Sequence, residues 1–347
     1  MSFLASLATR LENKRVPLGV TVELTAACHL RCAHCYVTRA KKNRLTTSVV
    51  VGLLEDLAGA GSFFVSFTGG EVALRRDLFV LIARARRLHF LVRLLSTGTR
   101  WTPSEWDKLA ELGVDEVRMS LYSHTAELHD RITGIEGSHM RTLATARGLR
   151  ARGVGVTIGC PILRTNVAAV IPLVDWCRDE GLPLSLDANV TWTDRSDPSP
   201  ALLRASQAEL APLMARQDIR ETILGTPKPS DSWSGTESTC SAGHESAFIQ
   251  CTGNVYPCSN WPAAAGNILR TPFLDIWRSS EGFVAARSIC NDELIECNAC
   301  ALRGRCRPCV AMNMQEHGAV QNASAAACTA ARAAQSPEIK TTWSHRG

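Results

Sequence analysis

The sequence lacks the features that would send the chain across or into a membrane. No segment reaches the roughly 18 uninterrupted apolar residues of a spanning helix. The first residues, M-S-F-L-A-S-L-A-T-R, have no basic start, no long apolar run and no small-residue cleavage site. Blocks of five or six like charges are also absent, and the net charge of +5 over 347 residues is mild. These absences predict a cytoplasmic protein with neither a membrane nor a nucleic-acid partner.

Aromatic residues are scarce, at 6% of the chain, whereas cysteine is abundant, with 14 copies. The apolar fraction of 45% and the charged fraction of 20% are those of an ordinary globular protein. A long chain without an export signal is not expected to build a disulfide framework, so clustered cysteines indicate metal ligands. Three lie between Cys28 and Cys35 and nine from Cys240 onward, with only Cys160 and Cys177 between.

The first two hundred residues alternate strand-like and helix-like segments. Predicted strands are residues 19–24, 63–68, 91–96, 116–121, 154–160 and 184–189, and predicted helices are residues 46–60, 75–88, 103–112, 139–152 and 167–181. Repeated strand–helix units predict an α/β fold with a parallel sheet and outer helices. Six units are too few for an eight-stranded barrel, so we expect a partial (β/α)6 barrel with its chemistry at the carboxyl ends of the strands.

The rest of the chain changes character. Residues 196–238 are rich in Ser, Thr, Asp and Pro and are interpreted as a linker with one helix at 207–219. The cysteine-rich portion that follows has few helical or strand periods, which favours a small domain organised by metal. We therefore expect a core at residues 1–195, the linker, an auxiliary domain at 239–335 and a tail at 336–347. The Ala-rich stretch after Val320 predicts a short helix.

The first cysteine cluster, Cys28, Cys32 and Cys35 in C-H-L-R-C-A-H-C, directly follows the first predicted strand. Three thiolates can hold three irons of a four-iron cluster and leave the fourth iron for an external ligand. The alternatives are three buried structural thiols, or a zinc site completed by His29 or His34.

This pattern resembles the radical S-adenosylmethionine (SAM) superfamily, whose mark is C-x3-C-x2-C followed by G-G-E. The second element is present as Gly69-Gly70-Glu71 at the end of the second predicted strand, with Val72 where the family usually has proline. The resemblance implies that a [4Fe–4S] cluster is held by the catalytic Cys28, Cys32 and Cys35. It also implies that Gly69-Gly70-Glu71 contact the methionine amino group of SAM.

Further cofactor contacts follow from the same resemblance. Ser96 and Thr97 end the third predicted strand and Ser120 lies in the fourth, where the family places polar groups against SAM. Arg131 is a candidate partner for the methionine carboxylate, with a surface arginine as the alternative. The implied chemistry is reductive cleavage of SAM to a 5′-deoxyadenosyl radical that abstracts hydrogen from a substrate.

The C-terminal cysteines resemble the SPASM extension of radical enzymes, which binds two auxiliary iron–sulfur clusters. The resemblance assigns three cysteines to the nearer cluster and four to the farther one: Cys240, Cys258 and Cys309, then Cys297, Cys300, Cys306 and Cys328. The fourth ligand of the nearer cluster is left open among Cys251, Cys290 and a free site. Arg307-Pro308 is one residue shorter than the usual spacing, and a zinc ribbon is the alternative.

SPASM enzymes mostly modify peptides or proteins, so the resemblance implies oxidative modification of a ribosomally made peptide. The alternatives are tetrapyrrole or other small-molecule side-chain modification, a sulfatase-maturase-like oxidation with Asp187 as its acid, and a non-catalytic iron–sulfur electron carrier. Expected partners are an electron donor such as flavodoxin or ferredoxin and, because only 27 residues precede Cys28, a separate leader-binding protein. Cys160 is a candidate substrate contact or core residue, Cys177 a core residue, and Trp192 and Trp233 candidate channel residues.

Overall fold

A computed structural model describes residues 16–38, 41–225, 238 and 240–335. These residues contain a nine-stranded sheet in the order β6-β5-β4-β3-β2-β1-β7-β8-β9. The strands are β1 (Gly19–Thr25), β2 (Phe64–Gly69), β3 (Leu91–Ser96), β4 (Glu116–Ser120), β5 (Gly155–Pro161), β6 (Leu184–Asp187), β7 (Ser246–Ile249), β8 (Asn254–Tyr256) and β9 (Gly266–Asn267). Strands β1 to β6 pair in parallel with their sequence neighbours. The expected six-unit parallel fold is confirmed.

Helices fill every crossover between the parallel strands. They are α1 (Thr47–Ala60), α2 (Leu78–Arg87), α3 (Pro103–Glu111), α4 (Ala126–Thr133), α5 (Ser138–Arg150) and α6 (Val170–Asp179). The later helices are α7 (Gln207–Ala215), α8 (Gln217–Leu224), α9 (Phe273–Ser279), α10 (Glu281–Ser288), α11 (Ile295–Asn298), α12 (Val310–His317) and α13 (Ala325–Ala333). The short helix expected after Val320 is therefore present as α13.

Helix boundaries follow local signals in the sequence. The Thr46 side chain accepts a hydrogen bond from the backbone N–H of Val49 at the start of α1, and Gly61 ends that helix with φ of 92°. Thr102 and Glu105 form a capping box at the start of α3, with Pro103 in the first turn. These caps determine where each helix stops, so the strand that follows enters the sheet in register.

The core lies between the sheet and the helices. Val20, Val22 and Leu24 of β1 are almost completely buried, as are Val65 and Phe67 of β2. Their period of two places them on one face, where the apolar side of α1 packs. The opposite face of each strand is left for the cavity described below.

The C-terminal portion contains more regular structure than the sequence analysis expected. Strand β7 pairs in parallel with β1, and β8 and β9 continue the sheet with antiparallel pairing. These strands have two to four residues, too few to show a period in the sequence. The auxiliary cysteines are therefore attached to the same sheet as the barrel, and the domain boundaries at 195 and 239 stay a prediction.

The helix expected at residues 207–219 is two helices. Arg216 is extended between α7 and α8, with φ of −79° and ψ of 122°. Its guanidinium reaches Asp175 on α6 at 2.8 Å and Asp218 at 2.6 Å. Because Arg216 bridges two carboxylates, the chain turns there and α8 covers the outer edge at β6.

Candidate active site

The cysteine loop after β1 brings three thiols together. Burial and the neighbouring Cys35 and Cys28 raise the pKa of the Cys32 thiol to about 12. Thiols this close repel one another once deprotonated, so they ionise together only around a bound cation. This donor set fits the iron cluster that the sequence predicts, with Cys28, Cys32 and Cys35 as its holders.

Contacts from distant parts of the chain hold this loop in place. The backbone N–H of Arg31 donates to the Thr133 carbonyl at 2.7 Å, and the Thr193 hydroxyl donates to the Cys35 carbonyl at 2.7 Å. The backbone N–H of Asp194 donates to the Tyr36 carbonyl at 2.8 Å. The loop is thus bound to α4 and to the segment after β6, which pre-organises the thiols.

Gly69 and Gly70 lie directly against the cysteine loop. A Cβ on Gly69 would lie 2.5 Å from the Thr25 carbonyl oxygen, and one on Gly70 would lie 2.6 Å from the Ala27 carbonyl oxygen and 2.8 Å from Cys28 Cβ. The backbone N–H of Gly70 also donates to Thr25 at 2.8 Å. Both positions therefore need glycine because the loop backbone approaches them, in addition to any approach by a ligand.

Glu71 is fully buried and belongs to a hydrogen-bond network behind the cavity. Its carboxylate accepts from Ser96 Oγ at 2.8 Å, from the Thr97 backbone N–H at 2.7 Å, from the Thr97 hydroxyl and from the Ala73 backbone N–H at 2.9 Å. Trp101 Nε1 adds a 2.9 Å hydrogen bond to Ser96 Oγ. Glu71 thereby ties the end of β2 to the end of β3 and positions Ser96 and Thr97.

A cavity of about 310 Å³ opens at the carboxyl ends of the parallel strands. It is lined by Cys28, Leu30, Cys32, His34, Cys35, Tyr36, Val37, Thr68, Gly69, Gly70, Leu95, Ser96, Thr97, Arg118, Met119, Ser120, Tyr122, Gly159, Cys160, Pro161, Ser185 and Asp187. The fold thus brings together the cysteine triad and five of the expected SAM contacts, Gly69, Gly70, Ser96, Thr97 and Ser120. Its size and position match a small-molecule site at the mouth of a barrel.

Arg131 does not line this cavity. It lies on α4 with its side chain 66% exposed, and its Nη1 is 3.8 Å from Glu127 Oε1. The helical period turns this position outward, which the sequence analysis did not foresee because it placed no helix at α4. The cavity instead contains Arg118 on β4, whose Nε is buried without a hydrogen-bond partner among the described residues.

Asp187 ends β6 and faces the same cavity. Burial raises the pKa of its carboxyl, although the Asn189 backbone N–H and the positive charge of Arg118 act in the opposite direction. Burial raises the pKa of the Cys309 thiol, one of the cysteines assigned to the nearer auxiliary cluster, and the charge of Asp187 adds to this. Asp187 therefore lies near both the cavity and Cys309, with Arg118 as its nearby opposite charge.

The histidines that offered a zinc alternative make other contacts. His34 Nε2 lies 3.1 Å from the Tyr122 hydroxyl, and His29 Nε2 lies 2.6 Å from Thr99 Oγ1. Burial lowers the pKa of His34 to about 4, so its ring is neutral at physiological pH. These hydrogen bonds do not decide between zinc and iron, because a histidine can bind a metal through its other ring nitrogen.

The three cysteines assigned to the nearer auxiliary cluster are neighbours. Burial, then Cys309, then Cys240 raise the pKa of the Cys258 thiol to about 12. Cys258 follows β8, whereas Cys309 precedes α12, so the sheet extension and the helix together create this group. Cys251 is not part of it: its thiol is buried beside Glu23, Lys41 and Asp194.

Cys290 is joined to the nearer group through the backbone. Its backbone forms an isolated bridge with Ser238, two residues before Cys240. The fold therefore leaves Cys290 as a candidate fourth ligand alongside an open site.

The four cysteines assigned to the farther cluster line one surface cavity of about 550 Å³. Burial and the nearby thiols of Cys328, Cys297 and Cys300 raise the pKa of Cys306 to about 12. Cys297 lies in α11, Cys300 and Cys306 in the loop after it and Cys328 in α13, so the grouping is a property of the tertiary fold. This donor set also fits an iron–sulfur cluster.

Two further expectations concern isolated cysteines and tryptophans. Cys160 is buried and lines the cavity, with its thiol 3.6 Å from Asn166 Nδ2, whereas Cys177 is buried in α6 and belongs to the core. Trp192 is half-buried, and Trp233 lies outside the described residues.

Two family models match successive parts of the chain. The radical SAM superfamily model matches residues 22–177, and the SPASM model, an iron–sulfur cluster-binding domain, matches residues 240–310. The chain therefore contains a radical SAM domain followed by a SPASM domain. It is an enzyme that uses SAM and iron–sulfur clusters, as the cysteine triad and the Gly-Gly-Glu element predicted.

Curated relatives and a solved structure align over most of this radical SAM enzyme. An AdoMet-dependent heme synthase of Methanosarcina barkeri is 25% identical over 84% of this chain and 91% of its own length. A PqqA peptide cyclase of Ruegeria pomeroyi is 28% identical over 82% of this chain and 79% of its own. Streptococcus suis SuiB, solved with its precursor peptide SuiA, has a TM-score of 0.71 at 17% identity, covering 93% of this chain and 80% of SuiB.

No helix among the described residues has the length and apolar character needed to cross a membrane.

Proposed function

We propose that this radical SAM enzyme oxidatively modifies a side chain of a ribosomally made peptide. The observation that carries the proposal is that the cavity extends from the cysteine triad after β1 to β6, the terminal strand of the sheet on that side within the described residues. Ser185 and Asp187 of this strand line the cavity. The lining at β6 offers polar groups for a substrate side chain on the side of the cavity away from the cysteine triad.

The proposal agrees with the functions of similar proteins. The PqqA peptide cyclase acts on a peptide, and SuiB was solved with one, and each covers more than three quarters of this chain. The heme synthase relative supports the tetrapyrrole alternative. The peptide is favoured because both a relative by sequence and a neighbour by structure engage one.

The two ends of the cavity have different tasks in this proposal. Cys28, Cys32 and Cys35 hold the [4Fe–4S] cluster, which with bound SAM supplies the radical that removes hydrogen from the substrate. The groups at the ends of β2 and β3, Ser96 and Thr97 among them, bind and orient SAM. Apolar lining residues such as Leu30 and Val37 exclude water from the site.

The substrate end is formed by β4, β5 and β6. Arg118 and Asp187 present opposite charges there, and Cys160 presents a buried thiol. Asp187 orients the substrate by accepting a hydrogen bond and can take the proton that an oxidation releases. Cys240, Cys258 and Cys309 would hold the nearer auxiliary cluster, which would take the electron that the substrate loses together with this proton. A separate leader-binding protein and an electron donor complete the system.

The test is anaerobic turnover of the reconstituted enzyme with dithionite, SAM and the peptide encoded beside its gene. The account predicts stoichiometric 5′-deoxyadenosine and a peptide product that has lost two hydrogen atoms, read by mass spectrometry. With a peptide deuterated at the modified side chain, deuterium must appear in 5′-deoxyadenosine. Turnover of an iron porphyrin with propionate side chains, and not of the peptide, would refute the proposal.

A further inference from the structure

The cavity that contains the four farther cysteines opens at the protein surface, away from the SAM cavity. Cys300 is exposed, and Cys297, Cys306 and Cys328 are half-buried beside it. A cluster held here would lie within reach of a docked protein, and electron transfer requires such closeness. The inference rests on the ligand assignment made above, that these four cysteines hold an auxiliary cluster.

Arginines surround this opening. Arg303 and Arg332 line the cavity itself, and Arg305 and Arg307 flank Cys306 in the chain. All four side chains belong to exposed residues, and within the described residues none forms an ion pair. Positive charges held without a counter-charge at the surface are typical of a site that attracts an anionic partner.

The positive surface continues into a second cavity of about 450 Å³. Leu302 and Ala331 line both cavities. Arg220 of α8 and Arg305 line the second one. We call Arg220, Arg303, Arg305, Arg307 and Arg332 the arginine rim. It spans a loop and two helices, so it is a surface of the folded protein and not a charged run in the sequence.

Few carboxylates oppose the rim among the residues that line these cavities. Glu296 accepts a 2.7 Å hydrogen bond from the Ala323 backbone N–H, and Glu221 accepts one at 2.7 Å from Gln217 Nε2. Four arginines of the rim thus line these cavities beside two carboxylates that already have partners. Arginines therefore outnumber carboxylates along the lining of the two cavities.

We propose that the arginine rim docks an acidic one-electron carrier protein that exchanges electrons with the farther auxiliary cluster. The shared position of the rim and the cysteines favours a redox protein over an acidic peptide substrate, since the substrate must reach the separate cavity at β6. In the reducing direction the carrier loses one electron and the cluster gains one. No atom or proton is transferred.

The experiment measures anaerobic stopped-flow oxidation of photoreduced flavodoxin, the acidic carrier used as probe, by the cluster-loaded enzyme. The second-order rate constant should fall about tenfold when salt is raised from low to roughly 0.5 M, because salt screens steering between opposite charges. Arg303→Glu/Arg305→Glu should lower the low-salt rate constant by a similar factor. Reduction by dithionite, a small reagent that needs no docking, should be retained.

A second variant leaves the loop between α11 and α12 unchanged. Arg220→Glu/Arg332→Glu alters only helices α8 and α13, so a folding defect in that loop cannot explain its effect. Arg87→Glu/Arg141→Glu, on outer helices α2 and α5, makes the same change in net charge as the matched control. Iron content and visible spectra are compared for all four proteins.

The rim is the docking site if both rim variants slow electron transfer from flavodoxin and the control does not. Equal rate constants for control and rim variants would overturn the proposal. So would an acidic peptide that binds the wild type and not the rim variants while flavodoxin transfer stays unchanged. Iron content too low to fill the auxiliary sites in the wild type would instead refute the ligand assignment.

Discussion

Asp187 shows how one residue can be unfavourable for stability and useful for chemistry. Asp187 is an exposed residue, but the atoms around its carboxyl in the cavity disfavour the charged form and raise its pKa above the ordinary value of 3.8. A group whose pKa is raised by folding contributes most to stability when protonated. That contribution is lost as pH rises through the raised pKa, and solvent screening keeps the cost of the charge at neutral pH small.

We predict that Asp187→Asn is slightly more stable than the wild type at pH 7.5 and that its advantage shrinks as the solution is made acidic. The amide carries no charge to desolvate, and protonation of the wild type removes the difference at low pH. The same variant should lose most peptide product, because it cannot accept a proton. Thermal unfolding at both pH values and product mass spectrometry measure the two effects.

The matched control for this residue is Asp56→Asn, on the exposed face of α1. It should leave both stability and product formation unchanged. A stability difference for Asp187→Asn that does not vary with pH would contradict the role of its charge. Full product formation would contradict its role in the reaction.

Single residues were predictable from sequence only where a motif marked them. The triad and Gly69-Gly70 lie where the motif implies, whereas Glu71 faces four donors behind the cavity instead of lining it. Arg118 falls within a predicted strand, and no local signal in the sequence shows that its side chain points inward. Side-chain direction depends on register and tertiary packing, which spacing along the chain does not specify.

The glycine turn after β2 and the cysteine loop after β1 form one structural element. A methyl group on Gly70 would collide with the Ala27 carbonyl and with Cys28 Cβ. We predict that Gly70→Ala pushes the loop away, lowers the iron bound by the radical cluster and abolishes SAM cleavage. Iron analysis of a variant that lacks the auxiliary cysteines isolates the effect on this cluster.

Gly52→Ala is the matched control for that experiment. Gly52 lies inside α1, and a Cβ there meets nothing within 4 Å. Alanine is the better helix former, so this variant should keep its iron and gain about 0.5–1 kcal/mol of stability. Normal iron loading in Gly70→Ala would show that the loop and the turn do not depend on each other.

Elements of the barrel were predictable because each has a period and a stop signal. The six parallel strands and α1, α2, α3, α5 and α6 agree with the sequence within a few residues. The exceptions are short or interrupted. Helix α4 has eight residues, and β7 to β9 have two to four, so neither shows a clear repeat.

At the scale of the whole molecule, pairing of β7 with β1 joins the two cluster-binding regions through one sheet. Side-chain contacts strengthen the junction, since Asp194 binds Lys41 Nζ at 2.5 Å and Gln250 Nε2 at 3.1 Å. The SAM cavity, the nearer cysteines and the arginine rim are therefore held by a continuous hydrogen-bonded framework. Sequence could not predict this arrangement, because it depends on contacts between residues more than 200 positions apart, such as the 3.3 Å hydrogen bond from Cys251 N–H to Glu23.

The central claim is that Cys28, Cys32 and Cys35 hold the cluster that cleaves SAM. The most direct measurement is 5′-deoxyadenosine formed by anaerobic reconstituted enzyme with dithionite and SAM, comparing wild type, Cys28→Ala and the core control Cys177→Ala. The account predicts product from the wild type and from Cys177→Ala, and none from Cys28→Ala. Equal product from Cys28→Ala and the wild type, or none from a wild type with a full complement of iron, would contradict it.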